Sequence, residues 1–294
     1  MGSTNDSPVI RLQRLSFVIY GHPDLTTFKR FAQDFGFEEV SSTADETLFA
    51  GYGRDPFVYV ARATRAGAGK RFVGAGFAAE SKDDFEKACA HVGAEKIDTA
   101  DRHGGGLAVR ITDPNGFEVQ VCWAQREQPL PPRGISAEAG RKGRPVINGT
   151  LDKARKGEEY VDHHCFLVAR AEAVDKPAET TVHHSSFEVE DLDTQMMGHQ
   201  WLLDAGYELV WGIGRYVYGS QVRGVQIETY FAAKSSRRDR SSIIGMTLAH
   251  FIIERYADGD VVNNKYTTLK AEAGNMAVWG PPVPVIRGGE KLTA

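Results

Sequence analysis

The chain has 294 residues, 41% hydrophobic and 25% charged, the composition of an ordinary soluble globular protein and not of a disordered, collagen-like or coiled-coil one. Lys+Arg 35 against Asp+Glu 39 gives a net charge of -4, so no basic excess points to a nucleic-acid or anionic-membrane partner. No apolar run approaches the roughly 20 residues that span a bilayer, Met1–Asp6 lacks the apolar core of a secretory signal, and three scattered cysteines (Cys89, Cys122 and Cys165) make no disulfide framework. A reducing, cytoplasmic setting is therefore expected.

In chain order, Leu12–Tyr20 reads as a strand, followed by an Asp and a helical pattern. Leu25, Phe28, Phe31, Ala32 and Phe35 recur at helical spacing, and Gly36 ends the pattern as a C′ glycine does. The same grammar returns at Phe72–Glu80 with a helix over Asp83–Val92, and again at Thr181–Glu190 with a helix over Asp193–Ala205. Short strand-like runs follow each helix, among them Leu48–Tyr52, Phe57–Arg62 and Leu107–Thr112. The repeating unit is βαβββ.

Residues 12–123 hold two such units and are expected to fold as a self-sufficient domain. A second pair would need a further unit before Val182, but the space is too short once the Pro-rich run Gln128–Gly134 is set aside as linker. The third unit is therefore expected to be truncated. Residues 10–124 form the expected first domain, 125–150 a linker and 151–285 a second domain. Arg223–Arg240 is basic and lacks strand alternation, so it is expected to be a mobile insert.

Asp113-Pro114-Asn115-Gly116 between two strand-like runs predicts a hairpin turn. His183-His184 opens the third recognisable helix-bearing unit, and a histidine on an inward strand position can ligate a metal. Glu254 lies within the apolar run Ile252–Tyr256, where a carboxylate needs a partner. His163-His164-Cys165 has the residue types of a zinc cluster without its spacing, since neighbours on a strand face opposite ways. Gly67–Arg71 lacks the complete phosphate-loop pattern. His103-Gly104-Gly105-Gly106 resembles an oxyanion loop, but no nucleophile elbow accompanies it.

Together the βαβββ repeat, the Asp113–Gly116 turn and the second-half motifs resemble the vicinal oxygen chelate superfamily. The motifs are His183–Phe187, Trp211–Arg215, Ile253-Glu254 and Tyr256–Asp260, and in them the chain resembles the type I extradiol dioxygenases. That resemblance implies an α+β fold of paired βαβββ modules whose curled sheets form open cups. It implies cleavage of a small catechol-like aromatic by O2 at non-haem Fe(II), with Mn(II) as the alternative ion. His184 matches the family's second His ligand and Glu254 its Glu ligand. His164, with His163 as its neighbour, matches the acid–base histidine, and Arg215 the Arg of a Gly-Arg-His turn. A homo-oligomer is compatible with the resemblance.

The first domain has Phe17 at the position of His184, and Gln120 where a ligand Glu would stand, so it is expected to be metal-free. In the second, the family's first His ligand would lie in the truncated unit, Tyr216 replaces the His of Gly-Arg-His, and Ile244 replaces a Tyr. Codons for Ser242–Thr247, read one base earlier, can spell the family's Phe-Asp-Tyr-Trp-x-Asp, which suggests that Arg223–His250 carries frame-shifted DNA read as coding. The site thus reads as partly degraded. Tyr216 is the nominated stand-in ligand. The alternative function is a non-catalytic aromatic-binding protein that holds no metal.

Overall fold

The computed structural model describes residues 9–51, 53–129, 165–170, 179–189, 192–216, 227–232, 252–257, 277–279, 286–287 and 290–291. The first repeat begins with β1 (Leu12–His22), then α1 (Leu25–Phe35), β2 (Glu38–Ser42), β3 (Glu46–Ala50) and β4 (Tyr59–Ala63). The Asp24 carboxylate caps α1 by accepting from the Thr27 amide at 3.0 Å, satisfying one orphan N–H of the first turn. Gly36 closes the helix at φ 111° with its N–H on the Ala32 carbonyl, a backbone conformation that costs a residue with a Cβ. The second repeat is β5 (Arg71–Ala79), α2 (Lys82–Cys89), β6 (Glu95–Ile97), β7 (Leu107–Thr112) and β8 (Glu118–Trp123).

These eight strands make one sheet in the order β2-β3-β4-β1-β5-β8-β7-β6. Each repeat contributes four strands, its first strand pairs parallel with its last, and β1 and β5 meet antiparallel at the centre. The sheet is curled and open, as expected for paired βαβββ modules. Asp113 builds the predicted hairpin turn: one carboxylate oxygen accepts from the Asn115 and Phe117 amides at 2.8 Å, and Gly116 takes φ 88°.

A second sheet follows: β9 (Cys165–Arg170), β10 (Glu179–Glu188), β11 (Glu208–Tyr216), β12 (Ile227–Ala232), β13 (Ile252–Ala257) and β14 (Ala277–Trp279). The helix α3 (Leu192–Asp204) lies between β10 and β11, and β15 (Ile286–Arg287) pairs with β16 (Glu290–Lys291). The order is β14-β11-β12-β13-β10-β9. Its run β11-β12-β13-β10-β9 reproduces β2-β3-β4-β1-β5 strand for strand, with the parallel pair β10–β13 standing for β1–β4 and antiparallel β9 standing for β5. Ahead of β10, β9 is the strand of the second sheet that falls among the described residues.

One expectation is corrected. Ile227–Ala232, inside the stretch read as a mobile insert, is strand β12 and hydrogen-bonds to both β11 and β13. Ile, Thr, Tyr and Phe suit a pleated, half-buried surface, and their partners lie far away in sequence, where local alternation cannot reveal them. The rest of Arg223–His250 lies outside the described residues.

The helix side of the first sheet does not close on itself. Val18, Tyr20 and Tyr59 of the sheet and Phe28, Phe31, Ala32 and Phe35 of α1 form one buried cluster with Phe187, Val189, Leu202 and Ile253 of the second half. Phe187 meets Phe37 edge-on at 4.9 Å and Phe35 at 6.3 Å. Across this core the Tyr20 and Ser185 hydroxyls hydrogen-bond at 2.6 Å, both fully buried. The Tyr207 phenol donates to Asp34 at 2.6 Å.

Candidate functional site: two cups and their floors

The face of each sheet away from the helices is the place to look for chemistry. In the first sheet, Val18 pairs with Tyr59 and Ile19 with Val60. Alternation sends Val18, Tyr20 and Tyr59 to the helix side, while Phe17, Ile19 and Val60 join Leu48, Phe57, Ala108 and Cys122 in a separate cluster on the inner face.

The second sheet follows the same rule. Ser185 pairs with Ile253 and Ser186 with Glu254. Ser185, Phe187 and Ile253 belong to the helix side, where they are buried. Positions 184, 186 and 254 therefore fall on the inner face. His184 pairs with Ile252, two residues before Glu254, so the histidine and the glutamate occupy diagonal positions on adjacent strands, about 7–8 Å apart between backbones. Superposing the two registers puts His184 where Phe17 stands and Glu254 where Val60 stands. Both first strands also carry a register slip at this point, between Leu15 and Phe17 in β1 and between Val182 and Ser185 in β10. Bulges of this kind re-aim side chains beside functional sites.

Arg215 pairs with Ile227 and Trp279, and Tyr216 with Ala277. Glu254 is joined through Tyr230 to Trp211 instead. Arg215 and Tyr216 thus stand two strands over from Glu254 and several residues along. His163 and His164 lie outside the described residues, as does Ile244.

The inner face of the first sheet is visible in atomic detail. A row crosses it from Phe17 through Gly76 to Gln120. Gly76 leaves room for the Phe17 ring, whose atoms would lie 2.1–2.5 Å from any Cβ built there. Above the row lies Arg102, from the loop between β6 and β7. Its guanidinium carbon is 5.3 Å from the Phe17 ring centroid and 4.8 Å from that of Phe57, a cation–π arrangement. Its Nη1 donates to the Gln120 side-chain oxygen at 3.1 Å, and Gln120 in turn donates to Glu118 at 3.0 Å.

Arg62 holds the neighbouring carboxylates, donating to Glu46 at 2.8 Å and to Glu118 at 2.7 Å. Burial works against a charged Glu118, yet the Arg62 hydrogen bond and charge hold its carboxyl below the usual range. Burial pulls the Arg102 guanidinium down and pushes the Cys122 thiol up to about 11, leaving it neutral. The donor set of this cup (a phenyl ring, a valine, an amide and a guanidinium) does not fit a metal cation. An imidazole and a carboxylate at positions 184 and 254 supply two donors of the kind a divalent transition ion takes.

Arg102 was not singled out in the sequence. Its only local mark is the glycine run after it, which carries the loop through φ values of 82°, 57° and 82° at Gly104, Gly105 and Gly106.

No protein-family model and no curated protein sequence matches the chain. Solved structures do match. The Mn(II)-bound glyoxalase from Novosphingobium aromaticivorans has a TM-score of 0.65 at 18% identity, covering 94% of each chain. Homoprotocatechuate 2,3-dioxygenase from Brevibacterium fuscum, in an anaerobic complex with 3,4-dihydroxyphenylacetate, has a TM-score of 0.63 at 14% identity, covering 96% of this chain and 92% of that one. The 2,3-dioxygenase LapB from Pseudomonas sp. KL28 has a TM-score of 0.58 at 16% identity, covering 89% and 98%. The chain therefore has the vicinal oxygen chelate fold, shared with a glyoxalase and with extradiol dioxygenases. Among the described residues no helix is long and apolar enough to cross a membrane.

Proposed function

We propose that the chain is a metal-dependent dioxygenase of the extradiol type, with its site on the inner face of the second sheet and a small catechol-like aromatic as substrate. The observation that carries the reading is the register of β10 and β13, which sets His184 and Glu254 diagonally on one face of two adjacent parallel strands. Imidazole and carboxylate at that spacing suit Fe(II), with Mn(II) as the alternative. When bound, the ion supplies the Lewis acidity and redox chemistry that O2 and a catechol require. His184 and Glu254 hold their face of the site. His164 is assigned to take a catechol proton and Arg215 to offer positive charge to the substrate; Tyr216, two strands over from Glu254 and several residues along, is not assigned as a ligand of the ion that His184 and Glu254 hold. The solved relatives, a Mn(II)-bound glyoxalase and a dioxygenase holding 3,4-dihydroxyphenylacetate, support a metal and a small aromatic as the partners of this fold.

The test is metal content and turnover together. The full chain, loaded anaerobically with Fe(II) and desalted, is expected to retain the metal. It is then expected to consume O2 with catechols, 3,4-dihydroxyphenylacetate among them, giving a product heavier by two oxygen atoms. His184→Ala and Glu254→Gln should each weaken metal retention by at least about a hundredfold, since even outer partners of metal ligands are worth 10–100-fold. Catechol binding without metal or O2 uptake would replace the enzyme by a non-catalytic binder.

A further inference from the structure

The Tyr20 and Ser185 hydroxyls hydrogen-bond in the core between the halves, and neither side chain is exposed. In the matched registers of the two sheets, Val18 stands on β1 where Ser185 stands on β10, and Tyr20 where Phe187 does. The exchanged pair, Val18 and Phe187, is apolar and can make no such bond. The hydroxyl pair is thus a departure from the repeat, and it lies on the strand that carries His184.

A buried polar pair is satisfied at one geometry, whereas apolar side chains can shift against each other, which is why buried polar groups fix registers. Tyr20 is a firm reference point. Its ring stacks on Tyr59 at 5.4 Å and meets Phe72 edge-on at 5.2 Å, and the Tyr59 hydroxyl is itself bonded to His22 Nε2.

What the pair can fix is the bulge in β10. Val182 pairs with Leu167 and Ser185 with Cys165 on β9, so positions 183 and 184 together oppose position 166. The run His183-His184-Ser185-Ser186 is polar throughout and lacks the hydrophobic alternation that normally specifies register, and a slip by one residue turns every side chain to the other face. Because the two histidines are neighbours, the sequence supplies an imidazole to either face. With Ser185 held to the core by Tyr20 and paired with the buried Ile253, position 184 falls on the inner face beside position 254. A slip would put position 183 there instead.

We propose that Tyr20 is a positioning residue for the second cup: through its hydrogen bond to Ser185 it fixes the register of β10 at the bulge, so that position 184 and not 183 is offered to the metal. The role rests on the reading of His184 and Glu254 as ligands, and it adds a residue of the first half to the making of the site in the second.

In the experiment, Mn(II) alone is titrated into the metal-free full chain and the free ion is counted by its EPR signal. Wild type, Tyr20→Phe, Ser185→Ala and the double variant are compared, each with and without His183→Ala. Tyr20→Phe is expected to weaken Mn(II) binding about tenfold, the lower end of what outer partners of metal ligands contribute. Ser185→Ala should match it, and the double variant should lose no more than either, because one bond is broken in all three. His183→Ala should leave wild type unchanged and alter binding in the Tyr20→Phe background, where the two histidines compete for the inner face. Phe37→Leu loosens the same interior but keeps both hydroxyls, and should bind Mn(II) as wild type does. Unchanged affinity in Tyr20→Phe, an equal loss in Phe37→Leu, or no effect of His183→Ala in the Tyr20→Phe background overturns the positioning role and leaves the ligands in place. If the wild-type chain takes up no Mn(II), His184 and Glu254 are not a metal site, and the role falls with that reading.

Discussion

The two sheets share a strand order and a register but treat their two faces oppositely. On the helix side they are alike: Val18, Tyr20 and Tyr59 from one and Ser185, Phe187 and Ile253 from the other meet in a common interior. On the inner side they diverge. The first sheet carries Phe17, Val60 and Gln120 under a guanidinium, and the second carries His184 and Glu254 at the positions matching Phe17 and Val60. The outer faces are constrained by each other, since a change on one must be met by the other in a close-packed core. The inner faces answer only to what they hold, so one scaffold supports a face covered by an arginine and a face that carries a histidine and a glutamate.

The sharpest way to break this comparison is to empty the shared interior. Phe187 is buried against Phe35, Phe37 and Tyr59. Phe187→Ala should cost about 3–5 kcal/mol, as aromatic truncations in cores do. Because the cluster spans both halves, hydrogen exchange should quicken in β1 and α1 as well as in β10. If amides of the first sheet kept their original protection while those of β10 lost theirs, residues 12–123 would be the self-sufficient domain that the repeat pattern suggests, and the shared core would carry little of the stability.

That contrast also marks how far the sequence could be read. The βαβββ grammar was legible because strand and helix periodicities, the Asp24 cap and Gly36 are local features. The hairpin at Asp113–Gly116 was legible for the same reason. The diagonal placing of His184 and Glu254 on adjacent strands could be anticipated only from family resemblance, since it depends on the parallel register of strands far apart in sequence. Three things stayed hidden. The strand Ile227–Ala232 lay within a basic stretch and is defined by distant partners. The joint core required knowing that the helix sides face one another. Arg102 draws its surroundings from Phe17, Phe57 and Gln120, three separate places, and its loop glycines suggest a turn and nothing more.

A smaller effect is expected at the seam between the halves. The Tyr20 and Ser185 hydroxyls satisfy one another at 2.6 Å inside the core. Removing one partner leaves a buried hydroxyl short of a bond, so Tyr20→Phe or Ser185→Ala alone should cost on the order of 1–2 kcal/mol. The double variant should cost less than the sum, with a coupling of about 0.5–1 kcal/mol. Denaturant titration of the four proteins measures this directly. Strict additivity would mean that the two hydroxyls do not stabilise the seam as a pair.

The gentlest probe uses a place where the outer faces differ in charge chemistry. His22 occupies on β1 the position that Val189 occupies after β10, both buried in the same direction. The His22 ring stacks on Phe28 at 3.8 Å and its Nε2 hydrogen-bonds the Tyr59 hydroxyl at 3.0 Å. Burial, with some repulsion from Lys70, lowers its pKa from 6.5 to about 3. The folded state therefore holds the neutral ring, while the unfolded chain takes up a proton below pH 6.5. Unfolding binds the extra proton, so this stability is complete above pH 6.5 and drains away as the pH falls toward about 3. The slope reaches at most about 1.4 kcal/mol per pH unit and is slight near neutrality. His22→Gln retains a hydrogen-bonding partner for Tyr59 but cannot titrate in this range. Stability measured from pH 7 to pH 4.5 should fall less steeply in the variant, with exchange in β1 and α1 showing the difference most. Parallel pH curves for the two proteins would mean that His22 is protonated within the fold, and that the first half is no more acid-sensitive at this position than the second.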